Sequence, residues 1–237
     1  MKTSVIGSAV LAAVVSAASA LAADLPSPPP PPVYNPVAGY NWTGFYLGLN
    51  GGGAWGQSDQ SQVLAPSPTT GDFTVMGGLV GGTAGFNLQI DHTVFGLEGD
   101  IDWARISGSA PCRTTFTCTT ESDYLATARA RLGYSWVDPW LAYVTGGAAF
   151  GSIGQSFAPA VGANVGTSAN KVGWTAGGGV QFGFWGPWSS NWSVKLEYLY
   201  VNLGTFNCAI ACSGITGQTT RTTLTESILR TGINYRF

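Results

Sequence analysis

Charge is what this chain lacks most. Of its 237 residues only 10 are Lys or Arg and 12 are Asp or Glu, together 9%, where a soluble domain carries roughly 25%. So few charges cannot dress an ordinary water-facing surface. The net charge of −2 also excludes a basic nucleic-acid binder, which needs clustered Lys and Arg to neutralise phosphates. Histidine is nearly absent. The single His92 cannot build a second-histidine dyad or a His-rich metal site, and no G-x-S-x-G nucleophile elbow occurs. Long apolar runs are missing as well, with one exception. A spanning helix needs about 18 nearly uncharged apolar residues, and past residue 22 Gly, Thr, Asn and Gln interrupt every such stretch.

The exception lies at the N-terminus. Lys2 precedes an apolar run from Val5 to Val15, and small residues follow through Ala20-Leu21-Ala22. A charged start, a short apolar core and an A-x-A-like site make a secretory signal peptide over residues 1–22, with cleavage expected after Ala22; a retained anchor is the alternative. An exported chain with a membrane-like composition and no later spanning helix leaves one architecture, because only helices and closed β-barrels can cross lipid.

What the chain does have fits that architecture. It holds 34 glycines and 12% aromatic residues, and so many aromatics argue against disorder. Seven of the 13 prolines fall within residues 23–39, five of them consecutive from Pro28 to Pro32, which predicts a semi-rigid polyproline II spacer on the periplasmic side. Over residues 40–237, eight segments alternate with period two: 44–56, 76–90, 94–105, 123–135, 140–151, 171–184, 192–203 and 224–237. Long connections over 57–75, 106–122, 152–170 and 204–223 alternate with short ones at Asp91-His92-Thr93, Trp136–Pro139 and Gly186–Ser190. Long, short, long, short is the pattern of an up-and-down, all-β, eight-stranded antiparallel transmembrane barrel with short periplasmic turns.

Side-chain facing separates a membrane barrel from a soluble one. The seventh segment sets Trp192, Val194, Leu196, Tyr198 and Tyr200 against Ser193, Lys195 and Glu197. The third sets Leu97, Ile101 and Trp103 against Glu98, Asp100 and Asp102, and the fourth sets Ala126, Ala128, Ala130 and Leu132 against Thr127, Arg129 and Arg131. Lipid rejects a basic residue near the midplane at a cost of about 2–4 kcal/mol, so the charged face is the lumen. Glu98, Asp100, Asp102, Arg129, Arg131, Lys195, Glu197, Glu226, Arg230 and Arg236 all fall on it, five acids against five bases. Eight strands leave an interior that side chains can fill. Paired charges therefore predict a packed polar plug, with conduction or ligand binding as the sharper alternative. The nine tryptophans map to segment ends and predict two aromatic girdles.

Several stretches resemble one family. Asn41-Trp42-Thr43-Gly44-Phe45-Tyr46-Leu47-Gly48-Leu49-Asn50-Gly51-Gly52, Gly96–Trp103, Arg129–Tyr134, Thr145–Gly151, Val172–Gly179 and Ser193–Tyr200 resemble the strands of small alphaproteobacterial outer-membrane proteins with an OmpA-like barrel. The closing Arg230-Thr231-Gly232-Ile233-Asn234-Tyr235-Arg236-Phe237 looks like the signal read by the barrel assembly machinery, with Ile233, Tyr235 and Phe237 on one face. The resemblance implies an abundant surface protein in contact with outer-membrane lipid and lipopolysaccharide. It implies roles running from envelope integrity through small-solute permeation to hemin binding in some members.

Other motifs carry little chemistry. Gly51–Gly56 fits G-x-G-x-x-G with Asp72 beyond it, but that fingerprint needs a helix after the glycines and a Pro- and Ser-bearing loop follows. His92 falls in a turn, where a surface role is expected. Cys112, Cys118, Cys208 and Cys212 form two close pairs assigned to long loops. Export through an oxidising compartment predicts disulfides, local pairing being preferred over cross-loop links. Zinc suits C-x5-C and C-x3-C spacings poorly. The expectation is a non-enzymatic envelope protein without a cofactor, with a porin or a surface ligand binder as alternatives. The sequence leaves the oligomeric state open.

Overall fold

In the computed structural model, the described residues are 40–62, 68–113, 116–159, 165–184, 186, 190–208 and 220–237. Residues 1–22 and 23–39, where a signal peptide and a Pro-rich spacer are expected, lie outside them. Eight strands form the whole described fold: β1 (Gly44–Gln62), β2 (Pro68–Ile90), β3 (Thr93–Arg113), β4 (Phe116–Val137), β5 (Trp140–Pro159), β6 (Val165–Gly183), β7 (Trp192–Cys208) and β8 (Thr220–Arg236). Each pairs antiparallel with its chain neighbours, and β8 pairs with β1 from Tyr46↔Arg236 to Gln62↔Thr220, closing the barrel. Closure leaves no open edge, which is what lipid demands of a sheet.

Period-two alternation decides which side chain faces where. Phe45, Leu47, Leu49 and Trp55 on β1 are exposed, as are Leu97, Ile101 and Trp103 on β3 and Val194, Leu196 and Tyr198 on β7. The apolar band from Phe45 to Trp55 matches the roughly 9–11 residues that a tilted strand uses to cross a bilayer. Both described chain ends share one rim with the two-residue turns at Asp91-His92 and Asp138-Pro139. In outer-membrane barrels short turns mark the periplasmic side.

Four expectations are corrected. The described parts of the long connections are strand: β1 runs to Gln62, β2 begins at Pro68, and β3 and β4 continue to Arg113 and from Phe116. The polar Ser-, Thr- and Gln-bearing stretches still need backbone partners, and the neighbouring strand supplies them. Proline survives at the far ends, where Pro68 starts β2, Pro159 closes β5 and Pro111 lies at a register shift. In consequence Cys112 and Cys118 belong to β3 and β4, not to a loop. Cys208 ends β7; Cys212 and the side chains of all four cysteines lie outside the described residues.

Trp42 is the third correction. It does not join a lipid-facing girdle but is buried against Val94 and Leu141, beside Tyr40. Its backbone N–H donates to Gln89 Oε1 at 2.8 Å, and Tyr40 donates to the Trp192 carbonyl at 3.3 Å. Residues 40–43 thereby fold across the periplasmic end. Arg236 is the fourth. It is half-buried at that rim with its guanidinium 5.0 Å from the Tyr40 ring, outside the lumen network.

Candidate functional site

The inward faces of β3, β4, β7 and β8 converge in the middle of the barrel. Cross-strand register puts Glu98 opposite Arg129 on β3 and β4, and Glu197 opposite Arg230 on β7 and β8. Glycine makes room for the long cations. A Cβ on Gly147 would lie 2.7 Å from Arg129 Cα, and one on Gly52 would lie 2.6 Å from Arg230 Cα, so the neighbouring strand presents no side chain there.

The resulting contacts cross the lumen. Arg129 Nη2 meets Glu98 at 2.5 Å and Asp100 at 2.7 Å, while its Nη1 reaches Glu197 at 3.1 Å. Arg230 Nη1 donates to Asp100 at 2.9 Å and Asp102 at 2.6 Å, and its Nη2 lies 2.7 Å from Glu197. Lys195 Nζ donates to Glu98 at 2.9 Å. Arg131 is 3.6 Å from the same carboxylate, donates to Gln181 Oε1 at 2.9 Å, and stacks 3.8 Å over the Tyr143 ring. In an eight-strand ring β3 and β7 lie opposite each other, so Lys195–Glu98 spans the lumen diameter.

Eight groups take part, four acids and four bases, and each side chain is at most 1% exposed. Taking a charge out of water costs several kcal/mol, which only close pairing with further hydrogen bonds can offset. Those further bonds are present. Thr127 donates to Asp100 at 2.7 Å and accepts from Arg129 Nε at 2.9 Å. Tyr46 donates to Glu98 at 2.7 Å and Tyr143 to Glu197 at 2.9 Å. Neither tyrosine was singled out from sequence, although alternation with Phe45 and with Val144 puts both on the inward face.

Glu226 behaves differently from the other buried charges. It is buried on β8, yet neither carboxylate oxygen has a hydrogen-bond partner. Its inward neighbours on β8 are Leu224 and Ile228, and Val201 stands opposite on β7. These belong to an apolar layer that fills the extracellular half of the lumen, with Leu199, Leu203, Ile106, Leu125 and Ile153. Still farther out, the hydroxyls of Ser58 on β1 and Thr120 on β4 come within 3.4 Å of each other. The paired charges predict a packed polar plug, and beside that plug the described interior also holds this apolar layer. Below that hydroxyl contact the order towards the periplasmic end is apolar layer, charged layer, an amide layer with Gln181 and Asn234, and the Trp42 closure.

Other candidates stay apart from this cluster. His92 sits in the β2–β3 turn, its Nδ1 3.0 Å from the Ser135 carbonyl oxygen. Gly51–Gly56 lies within β1 with no helix after it. Among the described residues no cluster of three or more His, Cys, Asp and Glu could hold a metal. Ile233 and Phe237 are exposed and share their face with half-buried Tyr235, whose ring is 5.2 Å from that of Phe237.

Comparisons with known proteins identify the family. Residues 8–237 match the outer membrane protein beta-barrel domain. A 31 kDa outer-membrane immunogenic protein of Brucella melitensis biotype 1 is 32% identical, over 93% of this chain and 95% of that protein. A 25 kDa outer-membrane immunogenic protein of Brucella abortus is 31% identical, over 100% of this chain and 99% of that protein. Among solved structures, Neisserial surface protein A is similar at a TM-score of 0.42 and 16% identity, covering 82% of this chain and 98% of that one. The chain belongs to the outer membrane protein beta-barrel domain family, and its place is the outer membrane.

Proposed function

We propose that this protein is a non-enzymatic barrel that strengthens the outer membrane and presents its projecting hairpins at the cell surface without conducting solutes. The observation that carries this reading is the neutral network of four acids and four bases spanning the lumen. A permeating ion would have to break contacts between β3 and the strands facing it, at a cost comparable with losing a buried pair. The apolar layer above and the Trp42 closure below support the same reading.

Planar-bilayer recording tests it. Purified protein should add no steady openings to the bilayer. Frequent, stable openings would instead make it a small porin, whose ion preference should shift when Glu98 or Arg129 is neutralised.

The C-terminal strand is the handle for the barrel assembly machinery in this reading. Ile233, Tyr235 and Phe237 form its outward apolar face at the rim. Deleting Phe237 should lower the fraction of chain that runs as folded barrel on unheated gels of outer membranes. An unchanged fraction would remove Phe237 from that role.

A further inference from the structure

Among the described residues, Glu226 is the buried charge that the lumen network leaves over. It is 1% exposed, and neither carboxylate oxygen has a hydrogen-bond partner. The other eight buried charges cancel, four acids against four bases. An ionised Glu226 would therefore give the interior one uncompensated negative charge. A neutral Glu226 gives it none.

The groups that face this carboxyl are apolar or already engaged. On β8 its inward neighbours are Leu224 and Ile228, and Val201 stands opposite on β7. On β1 it pairs with Gly56, where a Cβ would lie 3.1 Å from Glu226 Cα. Gly56 follows the girdle residue Trp55, so Glu226 stands beyond the lipid band. The Arg230–Asp102 contact fixes the height across the lumen. Two inward places farther out on β8 is Glu226, and two farther out on β3 is Ile106, which pairs with Ser122 of β4. The Ser122 hydroxyl is also buried without a partner. Val75 of β2 and Ile153 of β5 complete the same layer. Below it, Arg230 is turned to Asp100, Asp102 and Glu197. Lys171 of β6, half-buried in the extracellular half, makes no bond to Glu226.

Burial without an opposite charge favours the protonated form of a carboxyl group. Ionisation would force the carboxylate to find water, and the way to water leads outwards past the Ser58–Thr120 hydroxyl contact. We propose that Glu226 is a proton-operated latch of the extracellular apolar layer. Protonated, it leaves the layer dry and packed; ionised, it draws water in from the extracellular mouth and loosens the inner faces of β7 and β8. The proton is released to that water, so no other reactant is needed. Because the folded barrel keeps a proton that the unfolded chain has already released, stability is full below the ordinary glutamate range. It is lost as pH rises through the higher range in which the buried group ionises. The latch acts in the apolar layer alone and is independent of whether the charged layer beneath conducts.

The test uses the full mature chain folded in detergent micelles, its folding checked by unheated gel mobility. Urea unfolding is followed from about pH 5 to about pH 8 for the wild type, Glu226→Gln and Glu226→Leu, two neutral variants of different polarity. The wild-type midpoint should fall relative to both variants as pH rises, with the gap narrowest at the acidic end. Hydrogen exchange read by mass spectrometry, corrected for the intrinsic pH dependence of exchange, locates the effect. Between the same limits it should rise about tenfold in residues 199–206 and 222–230 of the wild type, as local opening requires. Residues 129–135 should stay unchanged, and neither variant should show the rise. A wild-type pH profile parallel to both variants, or one in which the wild type gains on them as pH rises, would overturn the latch. A falling midpoint without the local exchange would place the proton's effect outside the apolar layer and overturn it equally.

Discussion

Arg230 and Glu226 stand four residues apart on the inward face of β8, and their surroundings are opposite. Arg230 touches Asp100, Asp102 and Glu197. Replacing it with Met leaves three carboxylates short of a partner, and removing one member of a buried pair typically costs about 3–5 kcal/mol. Arg230→Met should therefore lower the urea midpoint of the folded barrel strongly. A change within about 0.5 kcal/mol, the scale of a surface substitution, would show that the network adds nothing to stability. For Glu226 the sign reverses. Its carboxylate pays for burial without a hydrogen bond, so Glu226→Leu should raise stability by about 1–3 kcal/mol, read in the same denaturation experiment. A loss of stability would mean that the carboxylate has a partner within the apolar layer.

At the scale of elements, the short segment at residues 40–43 does more than its length suggests. Trp42 closes the periplasmic end by packing on Val94 of β3 and Leu141 of β5, which ties the start of the fold to the far wall. Trp42→Ala removes a buried aromatic, a change that costs about 3–5 kcal/mol in a packed site, and thermal unfolding followed by circular dichroism should show it. An unshifted midpoint would mean that the tryptophan caps nothing. Sequence made the strands legible where apolar residues alternate with polar ones, as in Leu97-Glu98-Gly99-Asp100-Ile101-Asp102 of β3. It failed above Trp55 and Trp103, where the outward residues turn polar and alternation vanishes even though the backbone pairing continues. Trp42 was misread for a related reason, since an aromatic beside a rim can cover lipid or plug the mouth.

For the whole molecule, the composition that sets it apart also explains its layered interior. Among the described residues nine charges are buried inside the barrel, eight of them in one matched network. The inward charges could be placed from sequence because charge on an otherwise apolar strand can face only inwards in lipid. Which charge meets which could not, because Lys195–Glu98 and Arg230–Asp102 join strands that are not neighbours and only barrel closure brings them together. The apolar half of the lumen was hidden because Leu199, Val201 and Leu203 look the same whether they face lipid or one another.

The strands outrun the membrane. From Trp55 to Gln62, β1 continues in register with β8, and with β2 as far as Gln60, and at ~3.3 Å per residue this lifts the sheet on the order of 20 Å past the girdle. An approaching molecule therefore meets a pleated palisade whose backbone groups already have partners. Its recognisable shape is a property of the assembled wall, so features there are built from residues far apart in the chain, such as Gln57 beside Thr225. Short peptides copied from one strand would carry the letters of that surface without its relief.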